Sequence, residues 1–392
     1  NAQTIDDYFK IAAENNPGLQ AKYKSFEAAM QRIPQVSSLP DPNLSFGYFI
    51  SPVETRVGPQ KAKFSLTQMF PWFGTLKAQE DAATLFAEAK YQEFLDARNQ
   101  LYYQVSAAYY PLYELNELID IEQENERILK SYKDIATVQF QNDKGAMVDV
   151  LRVDITLKDA QTNLSVLNQK VKPLETRFNK LLNRDESETI EVIDTLTLVE
   201  RIEDYRRDSL LVANPLLENL DLKIKASEAQ ERVAIKQGYP KFGLGLDYAI
   251  VDERSGVDLN DNGQDAFMPM LSVSIPIFRK KYKAAQKEAQ LMQESYTFQK
   301  ENVTNRLVSS YDKIEFEIQR QMELIKLFDE QILVSKQSLN LLFTTYANSG
   351  KEFEEVLRMQ QQILKYQKLK ATALSEYHIA LAELDYLTAK TK

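Results

Sequence analysis

Four short segments of the chain alternate apolar with polar or small residues, at about 43–51, 61–70, 241–251 and 267–277. The clearest is the third, in which every second position is apolar: Phe242, Leu244, Leu246, Tyr248 and Ile250. A period of two places one apolar face and one polar face on a β-strand. A half-buried sheet in a soluble protein gives the same alternation, and for any single segment that interpretation is the simpler one.

Taken together, the four segments favour strands that cross a membrane. Each is close to the ~9 to 11 residues that a tilted strand needs to cross a bilayer. Aromatic residues lie near the segment ends, as they do at membrane interfaces: Tyr48, Phe70, Trp72, Phe73, Tyr248 and Phe278. Four strands cannot close a barrel, and open strand edges in lipid leave backbone groups unpaired. We therefore expect three copies of the chain to share a twelve-stranded transmembrane β-barrel.

Two much longer segments, 77–140 and 280–346, carry apolar residues at spacings of three and four, which predicts helices with a coiled-coil-like stripe. At about 1.5 Å per residue, each would be ~95 to 100 Å long. Pro111 should kink or break the first, because proline removes a helix hydrogen bond. Polar turns near 141–146 and 347–351 precede helices that return to about Leu182 and Leu387, so two helical hairpins are predicted.

The same order of elements occurs twice along the chain. Asn16-Pro17 has its counterpart in Asn214-Pro215, 198 positions later, and Val150-Leu151-Arg152 in Val356-Leu357-Arg358, 206 positions later. Matches at a nearly constant offset indicate two repeats, 1–200 and 201–392. Each repeat begins with a helix that the Asn-Pro pair interrupts, at about 4–35 and 201–237. The acidic stretch 183–208 is expected to form a small equatorial region.

The composition agrees with a fold that is mainly α with a small β part. Glycine accounts for only 11 of 392 residues, whereas a globular chain has about 7%. The predicted architecture is a long α-helical barrel plus four strands per protomer, which complete the twelve-stranded transmembrane β-barrel as a homotrimer. No run of about 18 apolar residues exists, and the mean hydropathy of −0.42 is negative, so no transmembrane helix is predicted.

Charge and cysteine content exclude several classes of function. The net charge of −9 makes nucleic acid an improbable partner, because nothing is built to neutralise phosphates. The absence of cysteine excludes disulfides, thiolate metal sites and cysteine nucleophiles. His378, the only histidine, lacks metal-ligand spacing and is interpreted as a packed or solvated helix residue. We predict neither an enzyme nor a cofactor.

One loop carries part of a calcium-binding pattern. Asp258, Asn260 and Asn262, followed by Gly263, match the first half of a D-x-N-x-N-G loop. Position twelve would be Pro269, so the bidentate glutamate is missing. A solvated external turn between the third and fourth strands is therefore favoured over a calcium site.

The whole arrangement resembles the TolC-like outer membrane efflux proteins, and the likeness covers essentially the full chain. The most specific segment runs from Val53 to Gly74 and includes Ser65-Leu66-Thr67-Gln68-Met69-Phe70-Pro71-Trp72-Phe73-Gly74, which is similar to the cation-efflux branch of that family. The resemblance implies a trimer in the outer membrane of a Gram-negative bacterium, with an α-helical barrel that extends into the periplasm. There its tips meet a periplasmic adaptor, and an inner membrane RND-type transporter supplies the energy.

The resemblance also assigns roles to residues at the two hairpin tips. Residues expected to dock the adaptor are Gly145, Val150 and Leu151 on the first hairpin and Gly350, Val356 and Leu357 on the second. Glu355 falls where the family carries an acidic ring at the channel constriction, with Asp149 and Asp154 as weaker candidates. Arg358 stands where many members have a second acid. A simple helix salt bridge between Glu355 and Arg358 is an equally good interpretation.

The predicted function is a passive outer membrane channel of a tripartite efflux system, exporting metal cations or drugs. A second hypothesis is a secreted pore-forming protein that inserts β-hairpins, although it would not need two equivalent hairpins. A third is a soluble coiled-coil scaffold, which would not need the four alternating strands at all.

Overall fold

The computed structural model describes residues 4–198, 213–256, 258–349 and 352–390, which form seven helices and four strands. In chain order the elements are α1 (Ile5–Asn15), α2 (Pro17–Ser37), β1 (Asn43–Thr55), β2 (Gly58–Phe70), α3 (Thr75–Gln141), α4 (Met147–Leu181), α5 (Pro215–Gln237), β3 (Lys241–Val251), β4 (Ala266–Ser274), α6 (Lys280–Ser349) and α7 (Phe353–Leu387). In the described residues the order of parts is therefore the one that the sequence pattern predicts, while the predicted helix segment at 201–212 lies outside them. A duplication remains our interpretation of that order.

Local chemistry explains where several elements begin and end. Thr4 and Asp7 form a capping box that begins α1. Pro17 begins α2 directly after α1 ends, as predicted from the Asn-Pro pair. The predicted break at Pro111 is absent, because α3 continues through this residue over 67 residues. β4 ends at Ser274 rather than near 277, since Pro276 lacks an N–H for the strand ladder.

The first hairpin is longer than predicted. β1 reaches Thr55 and β2 begins at Gly58, because pairing resumes after an irregularity between Tyr48 and Val53. Gly58 has a φ of +129°, and a Cβ built there would lie 1.8 Å from the carbonyl oxygen of Asp252. Only glycine fits this close approach of β3 to the turn.

Internal contacts divide the chain into two units, each made of segments from both halves of the sequence. Unit 1 comprises Asn1–Lys22, Phe94–Pro215 and Val303–Lys392, and unit 2 comprises Tyr23–Glu93 and Leu216–Asn302. The long helices α3 and α6 each contribute residues to both units. Residues 1–3, 199–212, 257, 350–351 and 391–392 lie outside the described part of the chain.

Unit 1 has an aromatic core in which α1, α3 and α4 meet. The rings of Tyr8 and Phe178 lie edge to face with centroids 5.0 Å apart, and Tyr109 packs beside them. The predicted equatorial region follows α4 without regular secondary structure as far as it is described, to residue 198. Tyrosine hydroxyls hold it: Tyr8 accepts from the amide of Glu191 at 2.8 Å, and Tyr109 accepts from the amide of Ile193 at 2.9 Å.

Each half of the sequence makes an equivalent hydrogen bond in unit 1. The side chain of Asn16 donates to the carbonyl oxygen of Leu181 at 2.9 Å, where α4 ends. The side chain of Asn214 donates to the carbonyl oxygen of Leu387 at 3.1 Å, where α7 ends. The offset of 198 pairs these two asparagines, so equivalent positions of the two halves hold the end of a helix in the same way.

Unit 2 contains one antiparallel sheet in the order β1-β2-β3-β4. The register aligns apolar residues in rows across it. One row consists of Phe46, Phe64, Tyr248 and Phe267, and another of Leu44, Leu66, Leu246 and Pro269. Ala78, Ala82, Ala229 and Val233 form a separate small core between α3 and α5.

None of the helices in the described residues combines the length and the hydropathy that a membrane-spanning helix needs.

Candidate functional site

One face of the sheet presents large apolar side chains to the outside. The exposed fraction is 67% for Leu44, 62% for Phe46, 93% for Ile50 and 84% for Leu271. Rings contact each other across strands, with Phe46 and Phe64 at 4.9 Å and Tyr248 and Phe267 at 4.8 Å between centroids. A contiguous apolar patch of this kind marks a surface that meets lipid or another protein.

The opposite face is polar and small. Lys63 forms an ion pair with the buried Asp247 across β2 and β3. Gly243 faces its neighbours so closely that an added Cβ would lie 2.2 Å from Ser272 Oγ and 2.6 Å from Met69 Sδ. The small size of Gly243 therefore serves strand packing.

The two outer strands have one neighbour each. In the described sheet β1 pairs only with β2, and β4 pairs only with β3. Each edge therefore offers a row of backbone donors and acceptors to another strand.

The loop after β3 is tied to the hairpin turn between β1 and β2. Arg56 forms an ion pair with Asp261, and the amide of Gly263 donates to the carbonyl oxygen of Val57 at 2.7 Å. The side-chain amide of Asn262 bridges Arg254, accepting from its N–H at 2.8 Å and donating to its carbonyl oxygen at 3.1 Å.

These contacts bear on the calcium candidate Asp258, Asn260 and Asn262. The oxygen of Asn262 is engaged by the backbone of Arg254, while Asp258 and Asn260 are exposed. The described residues contain no group of three or more His, Cys, Asp or Glu side chains placed to share a metal ion. An ion pair and hydrogen bonds hold the loop, and its interpretation as an external turn rather than a calcium site stays a prediction.

The ends of both helical hairpins pack together in unit 1. Tyr132 of α3 stacks on Phe343 of α6 at 5.5 Å, and Tyr346 contacts Phe353 at 4.6 Å between ring centroids. Val356 and Leu357 of α7 are buried in the same cluster. We call this group the tip cluster; its buried members are Leu129, Tyr132, Ala136, Val153, Leu157, Ala160, Tyr346, Phe353, Val356 and Leu357.

This burial changes the picture of the residues expected to dock a partner. Leu151 is 52% exposed and Val150 is half-buried, so their side chains are accessible to some degree. Val356 and Leu357 are 0% and 6% exposed, so in this conformation they stabilise the tip and do not present a surface. Their part in docking a partner stays a prediction. Exposed apolar residues that the sequence did not single out are Met147, Val148 and Ile155.

Gly145 shapes the first tip. Its amide and that of Lys144 both donate to the carbonyl oxygen of Gln139, at 3.0 and 2.9 Å. A Cβ added at Gly145 would lie 3.0 Å from Gln139 Cβ, so a larger residue would disturb the turn. Gly350, the corresponding residue of the second tip, lies outside the described residues.

The acidic candidates for a constriction are each paired with a basic residue. Glu355 forms an ion pair with Arg358 one turn further along α7, as the alternative interpretation predicted. Asp149 lies 3.6 Å from Arg152 (Oδ1 to Nη1) and is buried. Asp154 pairs with Lys133 of α3, and this contact lowers the pKa of the Asp154 carboxyl below its usual value.

One link between the hairpins is missing from the sequence prediction. Arg152 Nη2 of α4 lies 3.0 Å from Glu354 Oε2 of α7. The sequence held no signal for it, because the offset of 206 pairs Arg152 with Arg358 and Asp149 with Glu355 and so points only to an ion pair within each helix. In each half an arginine lies three residues after an acid, and the arginine of α4 also reaches α7.

His378 is packed, as predicted. Its Nε2 lies 3.0 Å from the carbonyl oxygen of Thr197, and its ring centroid lies 5.1 Å from that of Tyr110.

Comparison with known proteins identifies a family and a fold. The model of a family described as outer membrane efflux protein matches residues 9–184 and 207–390. Among solved structures, the chain is similar to the outer membrane protein VceC of Vibrio cholerae, at 16% identity over 98% of this chain and 96% of that chain, with a TM-score of 0.78. The MtrE outer membrane channel of Neisseria gonorrhoeae is similar at 17% identity over 98% of this chain and 88% of that chain, with a TM-score of 0.79. CusC is similar at 14% identity over 98% of this chain and 91% of that chain, with a TM-score of 0.81.

At these identities the solved structures show a shared fold. No curated protein matches the chain in sequence.

Proposed function

The chain belongs to the outer membrane efflux protein family, and from this premise we propose how its two units work together in a tripartite efflux system. Membership makes the chain an outer membrane channel with a periplasmic helical extension, and a passive duct rather than an enzyme. The family resemblance inferred from the sequence is confirmed in this respect. The oligomeric state, the docking residues, the constriction and the cargo are our proposals.

We propose that three copies close a twelve-stranded barrel. The observation that carries this is the sheet of unit 2, which exposes a continuous apolar face and has one-sided edges at β1 and β4. Two copies would give eight strands, whose interior is filled by side chains, whereas twelve leave an aqueous lumen. The apolar face would then meet lipid, and the small polar face with Gly243 and the Lys63–Asp247 pair would line the lumen.

The alternative of a secreted pore-forming protein makes a different prediction for extraction. Such a protein is a water-soluble monomer before it inserts, whereas the channel should leave outer membranes only with detergent. We expect light scattering of the detergent-extracted protein to give three chains per particle, and planar bilayers that contain it to conduct. A monomer released without detergent would contradict the channel function.

For adaptor docking, the supporting observation is the exposed apolar surface at the start of α4. We propose that Leu151 contacts a periplasmic adaptor, together with Met147, Val148 and Ile155. Gly145 would maintain the turn, and Val150, Val356 and Leu357 would support the surface from behind, with Gly350 as their counterpart in the second tip.

A photo-crosslinking amino acid tests this docking surface. At position 151 it should capture an adaptor in cells of the native host. At Lys170, an exposed position further along the same helix, it should not. Capture at both positions, or at neither, would contradict the assignment.

We infer the exported substrate and the inner membrane pump from the resemblance to the family's cation-efflux branch. The segment from Val53 to Gly74 supports a place in the cation-efflux branch, and an RND-type inner membrane transporter would supply the energy. The net charge of −9 would favour cations slightly in a water-filled tunnel, as a bias and not as a binding site.

For the constriction, we propose that Glu355 and Asp149 narrow the tip. Arg358 would position Glu355, and Arg152 would position Asp149. Lys133 would position Asp154 in the same way. Because the two carboxylates would no longer narrow the tip, replacing Glu355 and Asp149 together by alanine should raise the single-channel conductance in planar bilayers. Glu124→Ala, at an exposed ion pair within α3, is the control and should leave it unchanged. An unchanged conductance in the double variant would contradict the constriction.

A further inference from the structure

A band of basic and aromatic residues surrounds one end of the sheet in unit 2. Its aromatic members are Trp72, Phe73, Tyr239, Phe242, Phe278 and Tyr282, and its basic members are Lys236, Lys241, Arg279, Lys280, Lys281 and Lys283. We call this set the basal belt. From the belt, we infer that the channel binds anionic phospholipid headgroups at the periplasmic end of its sheet, an inference that rests on the proposed membrane-spanning role of the sheet.

The belt is a connected structure. The Trp72 ring stacks on Tyr239 at 5.2 Å and on Phe242 at 5.7 Å between centroids. Lys236 Nζ donates to the carbonyl oxygen of Phe73 at 3.2 Å. Lys241 is the register partner of Ser274, at the end of β4. A Cβ added at Gly238 would lie 3.6 Å from the Tyr282 ring, so the start of α6 contacts the end of α5.

The chain topology gives the belt its position in the membrane. Residues before β1 and β3 and after β2 and β4 all lead to helices, so every connection to α2, α3, α5 and α6 leaves the sheet at the same end. The helical part of the channel is periplasmic. The belt therefore lies where the sheet would leave the periplasmic leaflet, which in an outer membrane consists of phospholipid.

The start of α6 carries a dense positive charge. The nine residues 279–287 include five cations and no acid. Among the described residues no ion pair involves Arg279, Lys280, Lys281 or Lys283; Lys281 Nζ instead lies 4.9 Å from the Tyr282 ring centroid. Lys280, Lys281 and Lys283 also occupy the first turn of α6, which has no acidic residue there. Cations at a helix N-terminus oppose the helix dipole.

An anionic surface would remove both conflicts. A phosphate group near these side chains would compensate their mutual repulsion, and basic residues close to anionic lipid contribute favourably to membrane association. The aromatic side chains suit the same depth, because tryptophan and tyrosine rings favour the headgroup region. Phe73 and Phe278, each 76% exposed or more, and Ile277 at 72% extend the apolar contact. The belt thus combines basic side chains for a phosphate headgroup with apolar side chains for the adjoining acyl chains.

Trp72 is the only tryptophan of the chain, so its fluorescence reports on the belt alone. The full-length channel is reconstituted into phosphatidylcholine vesicles in which an equal mole fraction of lipid is brominated phosphatidylglycerol or brominated phosphatidylcholine. Bromine quenches tryptophan on contact. We expect phosphatidylglycerol to quench more strongly, with a relative affinity on the order of threefold higher, and the preference to weaken with added salt.

Two variants complete the test. Replacing Arg279, Lys280, Lys281 and Lys283 by glutamine should abolish the preference without changing quenching by phosphatidylcholine. A control with Lys170, Lys180, Lys225 and Lys336 replaced by glutamine, all exposed helix positions away from the belt, should keep it. Equal quenching in the unmodified protein, or a preference that survives the belt substitutions, overturns the inference. Absence of quenching by either lipid would instead contradict the membrane-spanning role of the sheet, and the inference with it.

Discussion

At the scale of single residues, Asn16 and Asn214 show how the two halves of the chain are related. Each precedes a proline that begins a helix, and each donates to the last carbonyl oxygen of a return helix. The first bond is partly buried and the second is buried, and such bonds matter mainly because their loss leaves a backbone carbonyl without a partner.

Replacing either asparagine by alanine should lower stability by a similar amount, about 1 kcal/mol. Thermal unfolding of the purified channel, followed by circular dichroism, measures this loss. Asn142→Ala is the control, since the Asn142 side chain also donates to a backbone carbonyl, that of Val138 at 2.8 Å, but is exposed. If neither variant loses more stability than the control, the two hydrogen bonds do not stabilise the fold as proposed, and clearly unequal losses would contradict the equivalence of the two sites.

Two aspartates in unit 1 should respond to pH in opposite ways. Burial raises the pKa of Asp96 above its usual value of 3.8, although a hydrogen bond from Tyr386 and the charges of Arg306 and Lys22 oppose the shift. The hydrogen bond from Lys133 lowers the pKa of Asp154 below that value. Asp96 therefore disfavours folding once it is ionised, whereas the contribution of Asp154 is present at neutral pH and is lost as the pH falls through its lowered pKa.

Asp96→Asn should thus raise the thermal midpoint at about pH 7, with the gain shrinking as the pH falls toward 3.8. Asp154→Asn should lower the midpoint at about pH 7 and have little effect in strong acid. Melting curves of both variants across this pH range measure the two trends. A gain for Asp96→Asn that is independent of pH would show that the carboxyl charge is not the cause.

At the scale of elements, alternation and helical spacing predicted the type and order of the helices and strands in the described residues, because each pattern reports directly on a period of two or of 3.6. Boundaries were less accurate. The extension of β1 to Thr55 depends on pairing beyond an irregularity, and the continuity of α3 through Pro111 depends on neighbours that a local rule does not include.

The candidate site was only partly accessible from the sequence. An apolar stripe shows that a helix packs, but not which hairpin covers it. Val356 and Leu357 were therefore expected at the surface of the tip, although both are buried in the tip cluster. The link from Arg152 to Glu354 was missed for the same reason, since it joins residues about 200 positions apart.

The tip cluster gives a prediction at this scale. Leu357→Ala removes buried apolar volume and should cost about 2 to 5 kcal/mol. Leu151→Ala, at an exposed position of the opposite hairpin, should change stability by less than about 0.5 kcal/mol. Thermal unfolding of the two variants compares them under identical conditions. Equal losses would contradict the assignment of one residue to the core and the other to the docking surface.

At the scale of the whole molecule, the sheet of unit 2 is the feature that calls for further copies. Among the described residues its apolar face is uncovered, and its edge strands β1 and β4 have one neighbouring strand each. Three copies would correct both, since β4 of one protomer can pair with β1 of the next and the outer face can rest in lipid. The long helices explain the low glycine content. The polar residues of the helices and of one face of each strand explain the negative mean hydropathy.

Disulfide crosslinking between the sheet edges tests this closure most directly, because the chain contains no cysteine of its own. Cysteines are introduced in pairs, one at Asn43, Ser45 or Gly47 of β1 and one at Met268, Met270 or Ser272 of β4, all on the polar face of the sheet. After oxidation in membranes, at least one pair should give covalent dimers and trimers, with no larger product and none from the single-cysteine variants. A ladder that ends at dimers or continues past trimers, or no product from any of the pairs, would contradict a barrel closed by three copies.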